Sequence, residues 1–72
     1  MQMMPLSLSE FGMEQIIRRI SGPPELRKHL EDLGFVAGSR VMVISALEGN
    51  LIVKIKESRI AISKEMALKI MV

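Results

Sequence analysis

The sequence predicts a small, mainly β domain in which about five short strands form a partly open barrel, with one helix between the first two strands. Three observations lead to this prediction. Residues 30–44, LEDLGFVAGSRVMVI, join an amphipathic helix to an apolar strand through two spaced glycines. Three stretches with strand character then follow at short intervals. Finally, a chain of 72 residues suffices for one domain, residues 1–72, with one small core.

The first 20 residues are predicted to hold a lead-in segment and the first strand. Residues 1–11 are expected to be loosely structured, with Leu6, Leu8 and Phe11 covering a sheet edge. Residues 13–20 are rich in isoleucine, whose branched side chain favours a strand. The alternation of this strand slips by one residue between Ile16 and Ile17, which predicts a bulge or a twist there.

The helix is predicted to cover residues 24–33. Its N-terminal end follows from Pro24, because proline suits a first turn whose N–H group has no partner in the helix. One face of the helix carries apolar residues at the spacing i, i+4 and i+7, namely Leu26, Leu30 and Leu33. This apolar face is expected to pack on the barrel.

The join after this helix is predicted to be structural. Gly34 is expected to end the helix in a left-handed backbone conformation, which glycine adopts without a steric clash. Phe35 is then placed to pack on Leu30. Gly38 comes three residues before Val41 of the next strand. We therefore assign Leu33, Gly34, Phe35 and Gly38 a structural role.

Three further strands are predicted at residues 40–47, 51–56 and 59–62. Residues 48–50, Glu-Gly-Asn, suit a hairpin loop because glycine and asparagine tolerate positive φ. Residues 57–58 leave room only for a tight turn.

The C-terminal part is predicted to form a short helical turn and a last strand. Ser63 suits the N-cap of a helical turn at residues 64–67, because its hydroxyl can accept a bond from a free backbone N–H. Residues 68–72 are then expected to return as the last strand.

The alternation of side chains along the strands separates two faces. The predicted inner face holds Val41, Val43, Leu51, Val53, Ile55, Ile60, Ile62, Ile70 and Val72. The other face combines the apolar residues Met42, Ile44, Ile52, Ala61 and Met71 with the cations Arg40, Lys54, Lys56, Arg59 and Lys69. There are two interpretations of this second face. In the first, the helix or the lead-in segment covers it, and in the second, it is an interface with a partner. In the second case we expect the partner to contact Arg40, Met42, Ile44, Ile52, Lys54, Lys56 and Arg59.

The order of these segments resembles the FeoA domain family over about residues 6–72. The resemblance rests on LEDLGFVAGSRVMVI, an EGN hairpin, LIVKIKESRIAIS and KEMALKIMV, with Ala37 where the family often has proline. It implies an SH3-like barrel that serves bacterial ferrous iron uptake as a cytosolic accessory protein of FeoB. FeoB is the membrane transporter, and it carries a cytosolic GTP-binding domain. The domain is also similar to the C-terminal barrel of diphtheria-toxin-repressor-type regulators, whose helix-turn-helix portion we do not find in this sequence.

Composition narrows the remaining classes of function. The chain has no cysteine, which excludes disulfides and thiolate metal sites and favours a reducing compartment, the cytoplasm. Its net charge of +2 attracts nucleic acid or acidic lipid only weakly. We find neither a secretory signal nor an apolar run long enough for a membrane span, so no direct membrane insertion is expected.

A metal site has few candidate ligands in this sequence. His29 is the only histidine, and Glu25 and Asp32 lie near it on the predicted helix. Such residues are more typical of a solvated helix face, so we expect no cofactor, with weak binding of Fe(II) or another divalent metal as the alternative. The seven methionines form no motif for a soft metal ion.

Catalysis is not expected, because no nucleophile elbow, phosphate-binding loop or pair of catalytic carboxylates accompanies the polar residues. The main alternative is a nucleic-acid-binding barrel of the KOW type. It is disfavoured because Phe11 and Phe35 are the only aromatic residues available to stack on bases. A weaker alternative is a domain that senses Fe(II). Weak self-association through an exposed strand edge is a further possibility that the sequence does not decide.

Overall fold

The computed structural model describes residues 3–72 and arranges six strands and two helices of this range around one core. The strands are β1 (Glu14–Ile16), β2 (Arg19–Ile20), β3 (Arg40–Leu47), β4 (Asn50–Ile55), β5 (Ser58–Ser63) and β6 (Ile70–Met71). The helices are α1 (Pro24–Asp32) and α2 (Lys64–Ala67), and a 3-10 helix covers Leu6–Leu8. None of the helices in residues 3–72 has the length and apolar character of a membrane span.

The larger sheet is antiparallel, with the strand order β1-β3-β4-β5. β3 and β4 are joined by Glu48 and Gly49, whose φ values of 49° and 83° are those of a type I′ turn. Leu47 and Asn50 face each other across this turn, so the hairpin loop is one residue shorter than predicted. The three predicted strands after Gly38 are confirmed within one residue at each end.

The prediction of one continuous first strand is wrong, because residues 13–20 form β1 and β2 in two different sheets. Ile17 N–H donates to the carbonyl of Ser39, over 2.8 Å, beside the larger sheet. Arg18 N–H donates instead to the carbonyl of Met71 in β6, also over 2.8 Å. The slip in the sequence pattern therefore marks a change of pairing partner, which raises the number of strands from five to six.

The smaller sheet pairs β2 with β6, and the N-terminal segment pairs with the other edge of β6. Pro5 bridges to Met71, and the backbones of Met4 and Val72 exchange two hydrogen bonds of 2.9 and 2.8 Å. Both edges of β6 are therefore occupied. The two sheets do not close into one continuous barrel.

The prediction of a loosely structured lead-in is wrong for the described part of residues 1–11, since residues 1–2 lie outside the described range. Leu6 is fully buried in the core. By contrast, Leu8 and Phe11 are 69% and 57% exposed, so they do not cover a sheet edge as expected.

The predicted helix is confirmed, although it ends at Asp32 and leaves Leu33 as its C-cap. Gly34 follows with φ of 106°, and its N–H donates to the carbonyl of Glu31 over 2.9 Å. Phe35 N–H donates to the carbonyl of Leu30 over 2.9 Å. These two bonds form a Schellman motif, in which only a residue that tolerates positive φ fits the position of Gly34.

The prediction at Ser63 is also confirmed, because its hydroxyl oxygen accepts a hydrogen bond of 3.1 Å from Met66 N–H at the start of α2. The core contains the predicted inner-face residues, except that Ile60 is half-buried against it. Side chains from the other segments complete the core, namely Leu6, Ile17, Leu30, Phe35 and Ala67.

Candidate protein interface

The side of the larger sheet opposite the core is called the outer face here. Paired residues of adjacent strands lie on the same face, so the register identifies its members. They are Glu14, Ile16, Arg40, Met42, Ser45, Ile52, Lys54, Arg59 and Ala61. We include Ile44, the extra residue of a β-bulge beside Ser45, and Lys56 in the adjoining turn. The outer face thus brings together all seven residues that the sequence predicted as partner contacts.

The central row of the outer face runs across all four strands. Glu14 lies opposite Met42, Met42 opposite Lys54, and Lys54 opposite Arg59. Like charges directly opposite each other destabilise a sheet pair, as Lys54 and Arg59 do here. Neither cation has an ion-pair partner among residues 3–72.

A second row lies beside it, with Ile16 opposite Arg40. The guanidinium Nη1 of Arg40 is 3.7 Å from Oε1 of Glu14, and the two side chains are 72% and 55% exposed. An exposed ion pair of this kind adds less than about 1 kcal/mol to stability. The ion pair engages the carboxylate of Glu14, which is the one carboxylate of the outer face.

A third row contains a β-bulge that the side-chain alternation did not predict. The register shifts between Val43 and Ser45, so Ser45 is the direct partner of Ile52 and Ile44 is the extra residue. Ile52 in turn lies opposite Ala61. Ile44 and Ser45 therefore both oppose Ile52, as two residues of a bulged strand do, and the local twist increases there.

A shallow depression of about 180 Å³ opens between the first two rows. It is lined by Glu14, Arg40, Val41, Met42, Lys54 and Lys56. Sites for small molecules usually measure about 300–1,000 Å³. The depression is therefore large enough for one side chain of a partner and too small for a typical cofactor.

No further layer of the protein seals the outer face in residues 3–72. Met42, Ile44 and Ile52 are half-buried and Ala61 is exposed. The segments expected to cover them pack elsewhere, because the buried residues Leu6 and Leu30 both belong to the core on the other side of the sheet. The apolar part of the outer face therefore stays accessible.

Two residues of the predicted face lie in other places. Met71 is in the smaller sheet, between Arg19 and Pro5. Lys69 lies near Gly22, and its carbonyl accepts a bond of 3.2 Å from the hydroxyl of Ser21. The reason is that β6 pairs with β2 rather than with the larger sheet, which the side-chain alternation could not indicate.

Two residues of the outer face, Glu14 and Ile16 in β1, were not predicted from the sequence. Their spacing of two residues was an available signal, but the slip at Ile17 obscured it. The outer face carries four cations and one carboxylate, so its net charge is +3. The cations are Arg40, Lys54, Lys56 and Arg59, and the carboxylate is that of Glu14. The net charge of the whole chain is +2, so the rest of the molecule is slightly acidic.

The metal candidates Glu25, His29 and Asp32 are exposed on α1. Within residues 3–72, no three histidine, aspartate or glutamate side chains form a group that could hold a metal ion. Glu25 and His29 share a helix face at a spacing of four residues, which supplies two ligands at most.

Comparison with known proteins places this fold in a family. The model of the FeoA domain matches residues 4–72. A protein of Methanocaldococcus jannaschii, described by its name as a candidate Fe(2+) transport protein A, is 36% identical over 70 residues, which are 97% of this chain and 85% of that protein.

Solved structures agree with this assignment. An iron uptake regulatory protein, FeoA, superposes with a TM-score of 0.88 at 28% identity over 99% of this chain and 95% of the other. FeoA of Stenotrophomonas maltophilia with zinc, described as a prokaryotic SH3 domain protein, gives a TM-score of 0.80 at 22% identity and covers 93% and 86%. A manganese-dependent transcriptional repressor gives 0.87 at 22% identity, covering 97% of this chain but 40% of the repressor.

The last two similarities show the fold alone, and they confirm the predicted likeness to SH3-like domains of repressors. The family model covers nearly the whole chain, and the alignment with the Methanocaldococcus jannaschii protein covers 97% of it. This chain belongs to the FeoA domain family.

Proposed function

We propose that this protein is a cytoplasmic accessory protein of ferrous iron uptake and that it regulates or supports the transporter FeoB by contact with its cytosolic region. Membership of the FeoA family supports the role in iron transport. So do the names of its relatives, which refer to Fe(2+) transport and to regulation of iron uptake.

The observation that carries the proposal is the accessible outer face. It combines a half-buried apolar strip, Met42, Ile44 and Ile52, with cations at its rim. Interfaces commonly place apolar contacts at the centre and charges at the rim. The apolar strip would supply affinity, and the cations would orient the partner and speed the encounter.

This function requires neither catalysis nor a resident cofactor. The depression on the outer face fits a side chain rather than a substrate, and the proposed effect on the transporter is one of contact. RNA is the other polyanion that a basic face could attract. The outer face offers no aromatic ring for base stacking, so we expect no RNA binding at physiological salt.

A binding measurement with the purified cytosolic region of the transporter tests the proposal. The substitution Ile52→Asp puts a carboxylate in the middle of the apolar strip. We expect it to reduce the affinity at least about tenfold, because the loss of binding free energy at a hot-spot residue exceeds about 1.4 kcal/mol. The domain should still fold, because Ile52 is only half-buried. Circular dichroism and a melting curve check this point.

Leu8→Asp is the matched control. It adds the same charge at a site that is 69% exposed and lies outside the outer face. It should leave the affinity unchanged within about twofold. Loss of binding in Leu8→Asp together with normal binding in Ile52→Asp would contradict the proposed surface, and normal binding in both would contradict it as well.

A further inference from the structure

In the described part of the chain, one edge of β5 is free of any neighbouring strand. β5 ends the strand order β1-β3-β4-β5, so it pairs on one side only. Among residues 3–72, no backbone hydrogen bond outside the β4–β5 pair involves residues 58–62. This edge therefore carries unpaired N–H and C=O groups, which can add a strand from another chain.

The register identifies the groups that point outward. Ile55 and Ser58 face each other across a two-residue connection, and such a closing pair must exchange both of its hydrogen bonds. Bonded and non-bonded pairs then alternate along the ladder. Ser58, Ile60 and Ile62 bond to β4, while Arg59 and Ala61 direct their N–H and C=O groups to the open side.

The other strand edges are less available. β6 is paired on both sides, and β1 has only three residues. Along β5, helix α2 begins directly after Ser63 and contacts the strand, so that end is shielded. Ser58, Arg59 and Ala61 are all exposed, which leaves the first four residues of the edge open.

We propose that the free edge of β5 binds an extended acidic peptide segment of a protein partner as an added antiparallel strand. A residue opposite Arg59 on the added strand would lie directly beside Arg59, with Lys54 one strand further away at roughly 10 Å, so a carboxylate is favoured there. The residue opposite Ala61 would lie beside this small side chain, with Ile52 one strand further along the same row, so an apolar side chain is favoured. The segment is thus an apolar residue followed by an acidic residue two positions later.

Charge selects this occupant over a second copy of the chain. Lys54 and Arg59 lie opposite each other without an ion-pair partner in residues 3–72, and the outer face has a net charge of +3. Pairing two copies along β5 would bring these cations together. An acidic strand instead relieves their repulsion, although Glu57 in the adjoining turn limits the gain at that end.

The inference deepens the proposed function, on which it rests for the identity of the partner, but the edge itself can be tested alone. The probe is the peptide TTVTETE with blocked termini. Its valine can lie opposite Ala61 and its first glutamate opposite Arg59. Titration of the labelled protein by NMR measures the affinity and shows which backbone amides shift.

Two methylated peptides provide the decisive comparison. N-methyl groups on the valine and the first glutamate remove the two N–H groups that would bond to β5, and we expect binding to weaken about tenfold or more. An N-methyl group on the threonine between them points to solvent and should change binding less than about twofold. The peptide TTVTKTK should bind more weakly than TTVTETE.

The matching change in the protein is Ala61→Pro, which removes one outward N–H without affecting a bond to β4. It should weaken the binding of TTVTETE, although less than the double methylation does because one hydrogen bond is lost rather than two, and the NMR spectrum should show an unchanged fold. The inference is overturned by absent binding of TTVTETE, by shifts away from β5, or by equal binding of both methylated peptides. Self-association that Ala61→Pro abolishes and TTVTETE does not displace would identify a second copy as the occupant, which also overturns it.

The outcomes separate this inference from the proposed function. If Ile52→Asp loses the transporter while Ala61→Pro binds it normally and TTVTETE does not compete, the proposed function stands and the added strand is wrong. If TTVTETE binds the edge as expected but the unmodified protein does not bind the transporter, the added strand stands and the proposed function is wrong.

Discussion

The two faces of the β3-β4-β5 sheet differ although they share one backbone. On the inner face, Val43 and Val53 are completely buried. Their sequence neighbours on the outer face, Met42 and Ile52, are only half-buried, and Lys54 is exposed. One face therefore contributes mainly to the stability of the domain, and the other remains accessible for contact with a partner.

The difference shows how a small domain can present a recognition surface without weakening its core. In a strand, successive side chains point to opposite faces, so each residue can meet one requirement alone. Changes on the inner face should lower the free energy of unfolding, and changes on the outer face should lower partner affinity. The following variants test that separation.

The largest effect is expected at Val53, which is fully buried. Val53→Ala removes two buried methyl-sized groups and leaves a cavity, which should reduce the free energy of unfolding by about 2 kcal/mol or more. Ile52→Ala, the neighbouring change on the outer face, should cost about 1 kcal/mol, because this side chain is already partly solvated. Urea unfolding measures both variants. Equal losses of unfolding free energy in the two variants would show that the inner and outer faces contribute alike to stability.

The next effect is expected at Gly34, which directs Phe35 toward the core and lies outside both faces. Its φ of 106° is unfavourable for a β-branched residue, so Gly34→Val should destabilise the domain by about 1–2 kcal/mol. A Cβ atom added at this position would meet only the Ile55 side chain, at 4.0 Å, so the loss reflects the backbone rather than a clash.

Thermal unfolding of Gly34→Val and Gly34→Ala tests this explanation. Both variants should melt below the unmodified protein and still bind the partner when folded. An unchanged melting temperature in both would contradict the strained conformation at this position.

The smallest effect on stability is expected at Arg40. Its ion pair with Glu14 is well exposed, so Arg40→Gln should change the free energy of unfolding by less than about 0.5 kcal/mol. Partner affinity should nevertheless fall and depend less on salt, because the outer face loses one of its four cations. Affinities at two salt concentrations provide the measurement. If the affinity of Arg40→Gln depends on salt as strongly as that of the unmodified protein, Arg40 does not contribute to the interface.

Local patterns predicted the parts of the fold that depend on neighbours in sequence. The glycine at position 34, the cap at Ser63 and the alternation of Val41 and Val43 each have a short-range cause, and the structure confirms all three. The alternation also predicted that the seven partner candidates share one face. This prediction has a short-range cause too, because the hairpins that align these residues have short connections.

The features that sequence did not predict depend on distant partners. The division of residues 13–20 follows from pairing with Ser39 on one side and Met71 on the other. The bulge near Ile44 depends on the register between β3 and β4, which alternation within one strand does not contain. Likewise, only the packing of Leu6 and Leu30 shows that the outer face stays uncovered.

The pairing of Met4 with Val72 has a consequence for how the domain folds. These residues are 68 positions apart, so their two backbone bonds close a loop that contains nearly the whole molecule. The entropy lost on closing a loop rises with its length, whereas the β3-β4-β5 hairpins close over two residues each. We therefore expect the hairpins to form early and the N-terminal segment to dock last, so that the outer face takes shape before the domain is complete.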